Sequence, residues 1–130
     1  MKRRHEDLLA WQEAIDFVTF IYQVTKQFPK QETYGITSQI RRAAISVPSN
    51  IAEGASRLGH KEFLQFLAIA RSSLVELETQ VTISKNLGYT DDKVFNLVMI
   101  KTNKVFSLIS GLINSIHRRR GETGEVRREK

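Results

Sequence analysis

The apolar residues of this chain recur at helical spacing in four long segments, and this spacing constrains the fold more than any other feature. Steps of three and four residues place side chains on one face of an α-helix. The pattern predicts helices over residues 8–27, 33–55, 60–87 and 90–120, with Thr90 as the N-cap of the last one. The breaks between them are short, which favours antiparallel neighbours. We therefore expect one all-α domain, an antiparallel up-down-up-down four-helix bundle.

Proline and glycine indicate where these helices end or bend. Pro29 should end the first helix, because the residue before a proline is pushed out of the helical region. Gly54 and Gly59 bracket the turn between the second and third helices, and Gly88 is well placed to stop the third. Pro48 lies inside the second helix, where it removes one backbone hydrogen bond. We expect a kink at that point.

The first helix carries more apolar residues than a single core-facing stripe needs. We assign its core face to the set Leu8, Trp11, Ile15, Val18 and Tyr22. A second apolar face remains, and burial against another copy of the chain would cover it. The predicted oligomer interface consists of Phe17, Phe20 and Val24.

The formal net charge of +6 lies entirely at the two ends of the sequence. Residues 6–117 hold eleven basic and eleven acidic side chains, so the helical body is neutral. The predicted organisation is a basic N-terminal arm, a bundle domain and a polar, disordered tail, over residues 1–7, 8–120 and 121–130 respectively.

Bundle topology would gather most of the basic side chains at one end. The start of the first helix, the turn between the second and third helices, and the end of the fourth helix all meet there. Clustered arginine and lysine without interleaved aromatic residues favours phosphate binding that does not read sequence. The alternative is that the charges only keep the ends soluble or favour the dipole of the fourth helix. The candidate nucleic-acid-binding residues are Lys2, Arg3, Arg4, Arg57, Lys61, Arg118, Arg119 and Arg120.

Five polar residues follow one line along the second helix, beside its apolar face. Polar groups in such a position are partly buried and must find hydrogen-bond partners. We interpret the line as a structural network that fixes helix register or subunit docking. A ligand-binding or catalytic groove is the alternative, since a glutamate with asparagine and serine could transfer protons. The line consists of Gln39, Arg42, Ser46, Asn50 and Glu53, with Arg71, Glu76 and Glu78 on the third helix as its candidate partners.

Other chemistry finds little support in the sequence. The chain has no cysteine, and its three histidines lack metal-type partners at helical spacing. No nucleophile elbow is present. The second and third helices are too long for a compact helix-turn-helix DNA reader. We therefore expect no catalysis, no metal site and no cofactor. No apolar run is long enough to span a membrane, and we expect a cytoplasmic protein.

The residues from Gln39 to Gly54, QIRRAAISVPSNIAEG, closely resemble the signature of the bacterial "four-helix bundle protein" family. That family is also known through proteins encoded in intervening sequences of large-subunit ribosomal RNA genes. The resemblance covers the chain from Asp7 to about Ile116. Further matching pieces are Asp7-Leu8, Trp11-Gln12, Phe28-Pro29, Glu32, Tyr34-Gly35 and residues 73–78.

The resemblance implies an antiparallel four-helix bundle, commonly a homopentamer, without enzymatic activity. The chain is also similar to the accessory protein of diversity-generating retroelements, a pentameric bundle that partners a reverse transcriptase and binds nucleic acid. The implied partners are other copies of the chain, RNA or DNA, and a reverse transcriptase or other RNA-linked enzyme. A protein–protein scaffold or accessory subunit with no nucleic-acid role is the alternative function.

Overall fold

A computed structural model describes residues 4–122 of the chain, which form four long α-helices and two short 3-10 turns. The 3-10 turns precede α1 and α2, and each is only one turn long. In chain order the elements are the 3-10 turn Arg4–Asp7, α1 at Leu9–Thr25, the 3-10 turn Lys30–Glu32, α2 at Ile36–Ala55, α3 at His60–Asn86 and α4 at Asp92–Glu122.

The four helices form a closed ring of neighbours. Within residues 4–122, α1 packs on α2 and α4, and α3 packs on the same two helices. Neighbours are antiparallel, since the start of each helix lies against the end of the next. Two contacts along each pair run in opposite directions, as antiparallel packing requires. They are Thr25–Arg41 and the shared groove of Trp11 and Ala52 for α1 and α2, Ser46–Ser73 and Gly54–Phe63 for α2 and α3, Arg71–Ser110 and Lys85–Asp92 for α3 and α4, and Glu13–Lys104 and Phe20–Lys101 for α1 and α4. The predicted all-α, up-down-up-down bundle is confirmed.

The core face of α1 differs from the one that periodicity suggested. Its fully buried line is Ala10, Ala14, Phe17, Ile21 and Thr25. The bulkier residues that we had assigned to the core lie along the flank that faces α2, where Ile15 and Tyr22 remain exposed. Apolar residues surround so much of this helix that spacing alone could not choose between the two faces.

The helix α3 ends before Gly88, as predicted, whereas the N-cap of α4 is not the predicted residue. Gly88 has a φ of 82°, its N–H donates to the Lys85 carbonyl, and the Tyr89 N–H donates to the Ser84 carbonyl. This pair of bonds is a Schellman motif, which a glycine favours. At the start of α4, Oδ1 of Asp91 accepts the Val94 N–H at 2.8 Å. The capping residue is therefore Asp91 and not Thr90.

The largest interface in the bundle lies between α2 and α3. Small residues line it, and Gly54 marks a point of very close approach to α3. The helix α2 continues through Pro48, whose ring is buried. The kink expected there stays a prediction. At the other end of the chain, α4 reaches Glu122, two residues into the segment expected to be a tail, and residues 123–130 lie outside the described part.

Candidate nucleic-acid interface

The antiparallel topology brings the start of α1, the α2–α3 turn and the end of α4 to the same end of the bundle, which we call the basic end. The α3–α4 pair shows the register. Nη1 of Arg71 donates to Oγ of Ser110 at 3.1 Å. Continuing this antiparallel register for ten residues in each direction sets Lys61 beside the segment Arg118–Arg120. The sequence-based expectation that these cations share one end therefore has a geometric basis.

Three of the eight candidate cations are freely presented at the basic end. Lys61, Arg118 and Arg119 are exposed, and none of them forms an ion pair with another residue of the described range. Arg120 continues α4, and Arg4 begins the first 3-10 turn. Lys2 and Arg3 lie outside the described residues.

Arg57 has a different environment from Lys61, Arg118 and Arg119. Its Nη2 pairs with Oε2 of Glu53 at 3.0 Å, and its guanidinium lies 4.9 Å from the centre of the Phe66 ring. The side chain is partly buried. These contacts join the end of α2 to α3, so Arg57 contributes to the structure of the α2–α3 turn and presents a partly neutralised charge.

His5 and Trp11 form an aromatic pair at the basic end, which the sequence analysis did not predict. Leu8 donates its backbone N–H to the His5 carbonyl, which folds the first 3-10 turn back onto α1. The His5 and Trp11 rings meet edge to face, with centroids 4.8 Å apart. Both residues line a groove of ≈ 410 Å³ between α1 and α2. Sequence reasoning missed this pair because it assigned Trp11 to the core and considered His5 only as a possible metal ligand.

The predicted polar line on α2 forms a smaller network than expected. Oγ of Ser46 and Oγ of Ser73 are 2.8 Å apart across the α2–α3 interface. The Asn50 amide donates to both the carbonyl and the hydroxyl of Ser46, at 2.8 and 2.9 Å. These three residues lie at the α2–α3 interface and are hydrogen-bond partners of one another, as the structural interpretation requires.

The remaining members of the line are distributed over three places. Gln39 and Arg42 are exposed and line a polar groove of ≈ 450 Å³ with Glu76. The carboxylate of Glu53 forms an ion pair with Arg57. On the far side of α3, the side chain of Arg71 bonds to Ser110 of α4.

Glu78 is partly buried, and the structure gives its carboxylate no bond to the polar line among the described residues. The prediction of one network that joins all eight residues is therefore wrong, because only Ser46 and Asn50 of that set belong to the hydrogen-bonded group. A helical wheel of α2 alone could not show that Glu53 pairs with Arg57, which lies just beyond the end of that helix, or that Arg71 faces α4.

The predicted interface set divides between core and surface. Phe17 is 2% exposed and belongs to the core of the bundle, so it offers no surface to a second copy. Phe20 and Val24 are only partly buried and lie on the flank facing α4. Nζ of Lys101 on α4 lies 5.1 Å from the centre of the Phe20 ring.

Between residues 4 and 122, no three or more side chains of the histidine, aspartate or glutamate type come together as a metal site requires. Within the same range, no helix combines the length and the apolar character that crossing a membrane requires.

Fold and surface together define the class: an up-down-up-down helical bundle with a neutral body and exposed cations at one end. The family model described as 23S rRNA-intervening sequence protein matches residues 6–111. The chain belongs to the 23S rRNA-intervening sequence protein family, as its resemblance predicted. A search of curated proteins gave no match. The similarity to retroelement accessory proteins stays a prediction.

Proposed function

We propose that this protein is a non-catalytic, homo-oligomeric bundle that binds RNA or DNA phosphates through its basic end, without reading sequence. The observation that carries the proposal is the convergence of exposed, unpaired cations. Lys61 on α3 and Arg118 and Arg119 on α4 share one end of the bundle, whereas residues 6–117 as a whole, Lys61 included, have no formal net charge. The basic N-terminal arm joins α1 at the same end.

The charge arrangement fits electrostatic binding better than sequence readout. Neutralising phosphates releases counterions, and affinity then falls steeply with added salt. Specific readout would need side chains that reach base edges in a groove, on an element shaped to enter it. The α2–α3 turn is short and the end of α4 is a plain basic helix. Both carry positive charge, and neither is an element shaped to enter a groove and contact base edges.

Self-association would multiply this charge. A cyclic oligomer points every protomer in the same direction, so each copy would add its basic end to one face. A candidate contact surface is the outside of α1 and α4, where Phe20 and Val24 are partly buried and where Leu97 and Ile100 are 43% and 65% exposed. Leu97 precedes Lys101, the residue above the Phe20 ring, by one helical turn. We refer to these four residues as the α1–α4 patch.

Binding is tested by titrating a fluorescently labelled single-stranded RNA at several salt concentrations. The test variant replaces Lys61, Arg118 and Arg119 by glutamine. Its matched control replaces Lys26, Lys30 and Lys93, three exposed lysines near the opposite end, and therefore has the same net charge.

We expect wild type and control to bind at ~50 mM salt with similar slopes of log affinity against log salt. The test variant should bind more weakly, and each lost phosphate contact should lower the slope by about 0.7. Equal losses in both variants would mean that only net charge matters, and this would contradict a binding end. Absence of binding by the wild type at ~50 mM salt would reject the proposal.

Oligomerisation is tested by light scattering on the purified protein. Ile100→Asp places a charge in the α1–α4 patch and should lower the molar mass toward that of one chain. Val75→Asp is the matched control, because Val75 is 50% exposed on α3 and lies outside the patch. A wild type that is monomeric at all concentrations would contradict the homo-oligomer.

A scaffold or accessory subunit without a nucleic-acid role is the second candidate, and the exposed apolar patch on α1 and α4 favours it. It predicts that the protein assembles but shows no salt-dependent binding to RNA or DNA. A reverse transcriptase or other RNA-linked enzyme as partner stays a prediction from resemblance. The RNA titration and the light-scattering measurement together separate the two functions.

A further inference from the structure

The groove between α1 and α2 combines an aromatic pair with an apolar wall. Its α1 side carries Trp11, Ile15 and Val18, and its α2 side carries Ile45, Pro48 and Ala52. Ile15 is 40% exposed and Ile45 is 42% exposed, so the groove opens to solvent along both helices. Its volume of ≈ 410 Å³ lies within the range of about 300–1,000 Å³ that small-molecule sites occupy.

The position of this groove relates it to the basic end. Trp11 lies in the first turn of α1, and His5 closes the groove from the preceding 3-10 turn. Ala52, which lines the same end of the groove, lies near the end of α2, and Lys61 follows the α2–α3 turn at the start of α3. The aromatic, apolar groove therefore opens at the end of the bundle that carries the exposed cations Lys61, Arg118 and Arg119. Single-strand binding proteins use this combination, with cations for phosphates and aromatic rings for bases.

We propose that this groove accepts an unstacked base of single-stranded RNA or DNA, which lies against Trp11 and His5 while the basic end holds the adjoining phosphates. The inference rests on the proposed function and adds a preference for single strands over duplexes. Every base has an aromatic face, so stacking of this kind tolerates any sequence. Bases within a duplex are already stacked on each other, and exposing one requires unstacking and unpairing.

The composition of the groove supports a base as the occupant. Apolar side chains would cover the faces and edges of a flat heterocycle, and the hydroxyls of Thr19 and Ser49 lie at the lining for its polar atoms. The exposed cations of the basic end complement the phosphates that every nucleotide carries. A second copy of the chain could offer apolar side chains, but it would gain nothing from those cations.

Trp11 also provides the measurement. It is the only tryptophan of the chain, so tryptophan emission, excited selectively over that of the three tyrosines, reports on this groove. Two probes are titrated at low salt: a short single-stranded oligouridylate and an RNA duplex of the same nucleotide length. We expect the single strand to quench Trp11 emission and the duplex to leave it nearly unchanged. Affinities for both probes are measured in parallel from the anisotropy of a label on the RNA.

Variants then test the contact itself. Trp11→Ala should weaken binding of the single strand by about 5- to 160-fold, the range for removing one base–aromatic stack. Trp11→Phe retains a ring and should restore most of that affinity. Ile45→Glu keeps the tryptophan signal and should abolish the quenching, because it puts a carboxylate on the groove wall. Its matched control is Ile83→Glu on α3, where the native side chain is 45% exposed, and quenching should persist.

The outcomes separate this inference from the proposed function. If Trp11→Ala binds both probes as the wild type does, with the same salt dependence, the base site is rejected and the basic end remains. Equal quenching by the duplex also rejects the base site. If the wild type binds neither probe, both proposals are rejected. Emission that shifts with protein concentration in the absence of RNA would assign the groove to a second copy and overturn the inference.

Discussion

The Tyr89 hydroxyl donates a hydrogen bond of 2.8 Å to Oε2 of Glu32, a residue 57 positions earlier in the chain. The other carboxylate oxygen, Oε1, accepts the backbone N–H of Ile36 at 3.2 Å. Gly35, which precedes α2, has no side chain to cap that helix. Glu32 therefore accepts a free backbone N–H at the start of α2 and connects this helix to the α3–α4 turn, at the end of the bundle opposite the basic end.

This bond predicts a dependence of stability on alkaline pH. The hydrogen bond to Glu32, followed by burial and the nearby negative charge, raises the pKa of Tyr89 above 10.0. The folded state therefore prefers the neutral phenol. Its contribution to stability is fully present below pH 10, where the unfolded chain also keeps the phenol protonated, and is lost as the pH rises through the raised pKa.

Tyr89→Phe removes both the bond and the titrating group. We expect the variant to be less stable than wild type at neutral pH, with the difference shrinking above about pH 10. Urea denaturation of both proteins at a series of pH values measures this, and taking the difference cancels the titration of the other tyrosines and lysines. Curves that stay parallel up to the highest pH would contradict the coupling.

Arg41 and Arg42 are neighbours in sequence with opposite roles. Nε of Arg41 donates to Oγ1 of the buried Thr25 at 2.8 Å, and its guanidinium lies 4.3 Å from the centre of the Tyr22 ring. Arg41→Met should lower the free energy of unfolding by about 1–2 kcal/mol, because it removes a charged hydrogen bond and a cation–π contact. Arg42→Met is the matched control at an exposed position and should change it by less than about 0.5 kcal/mol. Equal effects in denaturant titrations would disprove the distinction.

The start of α4 gives a similar comparison between Thr90 and Asp91. The side chain of Asp91 caps the helix, so Asp91→Ala should lower the free energy of unfolding by about 1 kcal/mol. Thr90→Ala removes no capping bond and should change it by less than about 0.5 kcal/mol. Thermal or urea unfolding measures both. A larger loss at Thr90 would restore the sequence-based assignment of the cap.

Sequence patterns predicted the number of helices because the spacing of apolar residues follows directly from helix geometry. They predicted the topology because short connections favour antiparallel neighbours. Gly88 could be identified as a helix stop, since a left-handed residue after a helix strongly favours glycine. The cap was harder to choose. Thr90 and Asp91 are both good N-cap residues, and only the backbone geometry decides which side chain reaches the free N–H groups.

The faces of the helices and the candidate site depend on packing between helices, which spacing does not encode. Ala10 and Ala14 form part of the core line of α1, although larger residues such as Trp11 and Ile15 seemed better suited to it. The same error hid the groove that brings His5 and Trp11 together. The cations of the basic end could be found from topology and charge alone, because their placement needs only the direction of each helix.

Gly54 and Gly111 both lie inside helices, but only Gly54 is required by packing. A Cβ at Gly54 would come within 2.8 Å of Cβ of Phe66 and 2.9 Å of Cδ1 of Phe63, whereas a Cβ at Gly111 meets nothing within 4 Å. Alanine normally favours a helix over glycine by about 1 kcal/mol, and Gly111→Ala should stabilise the protein by roughly that amount. Gly54→Ala should instead destabilise it by about 1–3 kcal/mol, because α2 and α3 must separate to admit the methyl group. Urea unfolding of the two variants measures both effects, and stabilisation by both would show that the α2–α3 contact is less close than this packing requires.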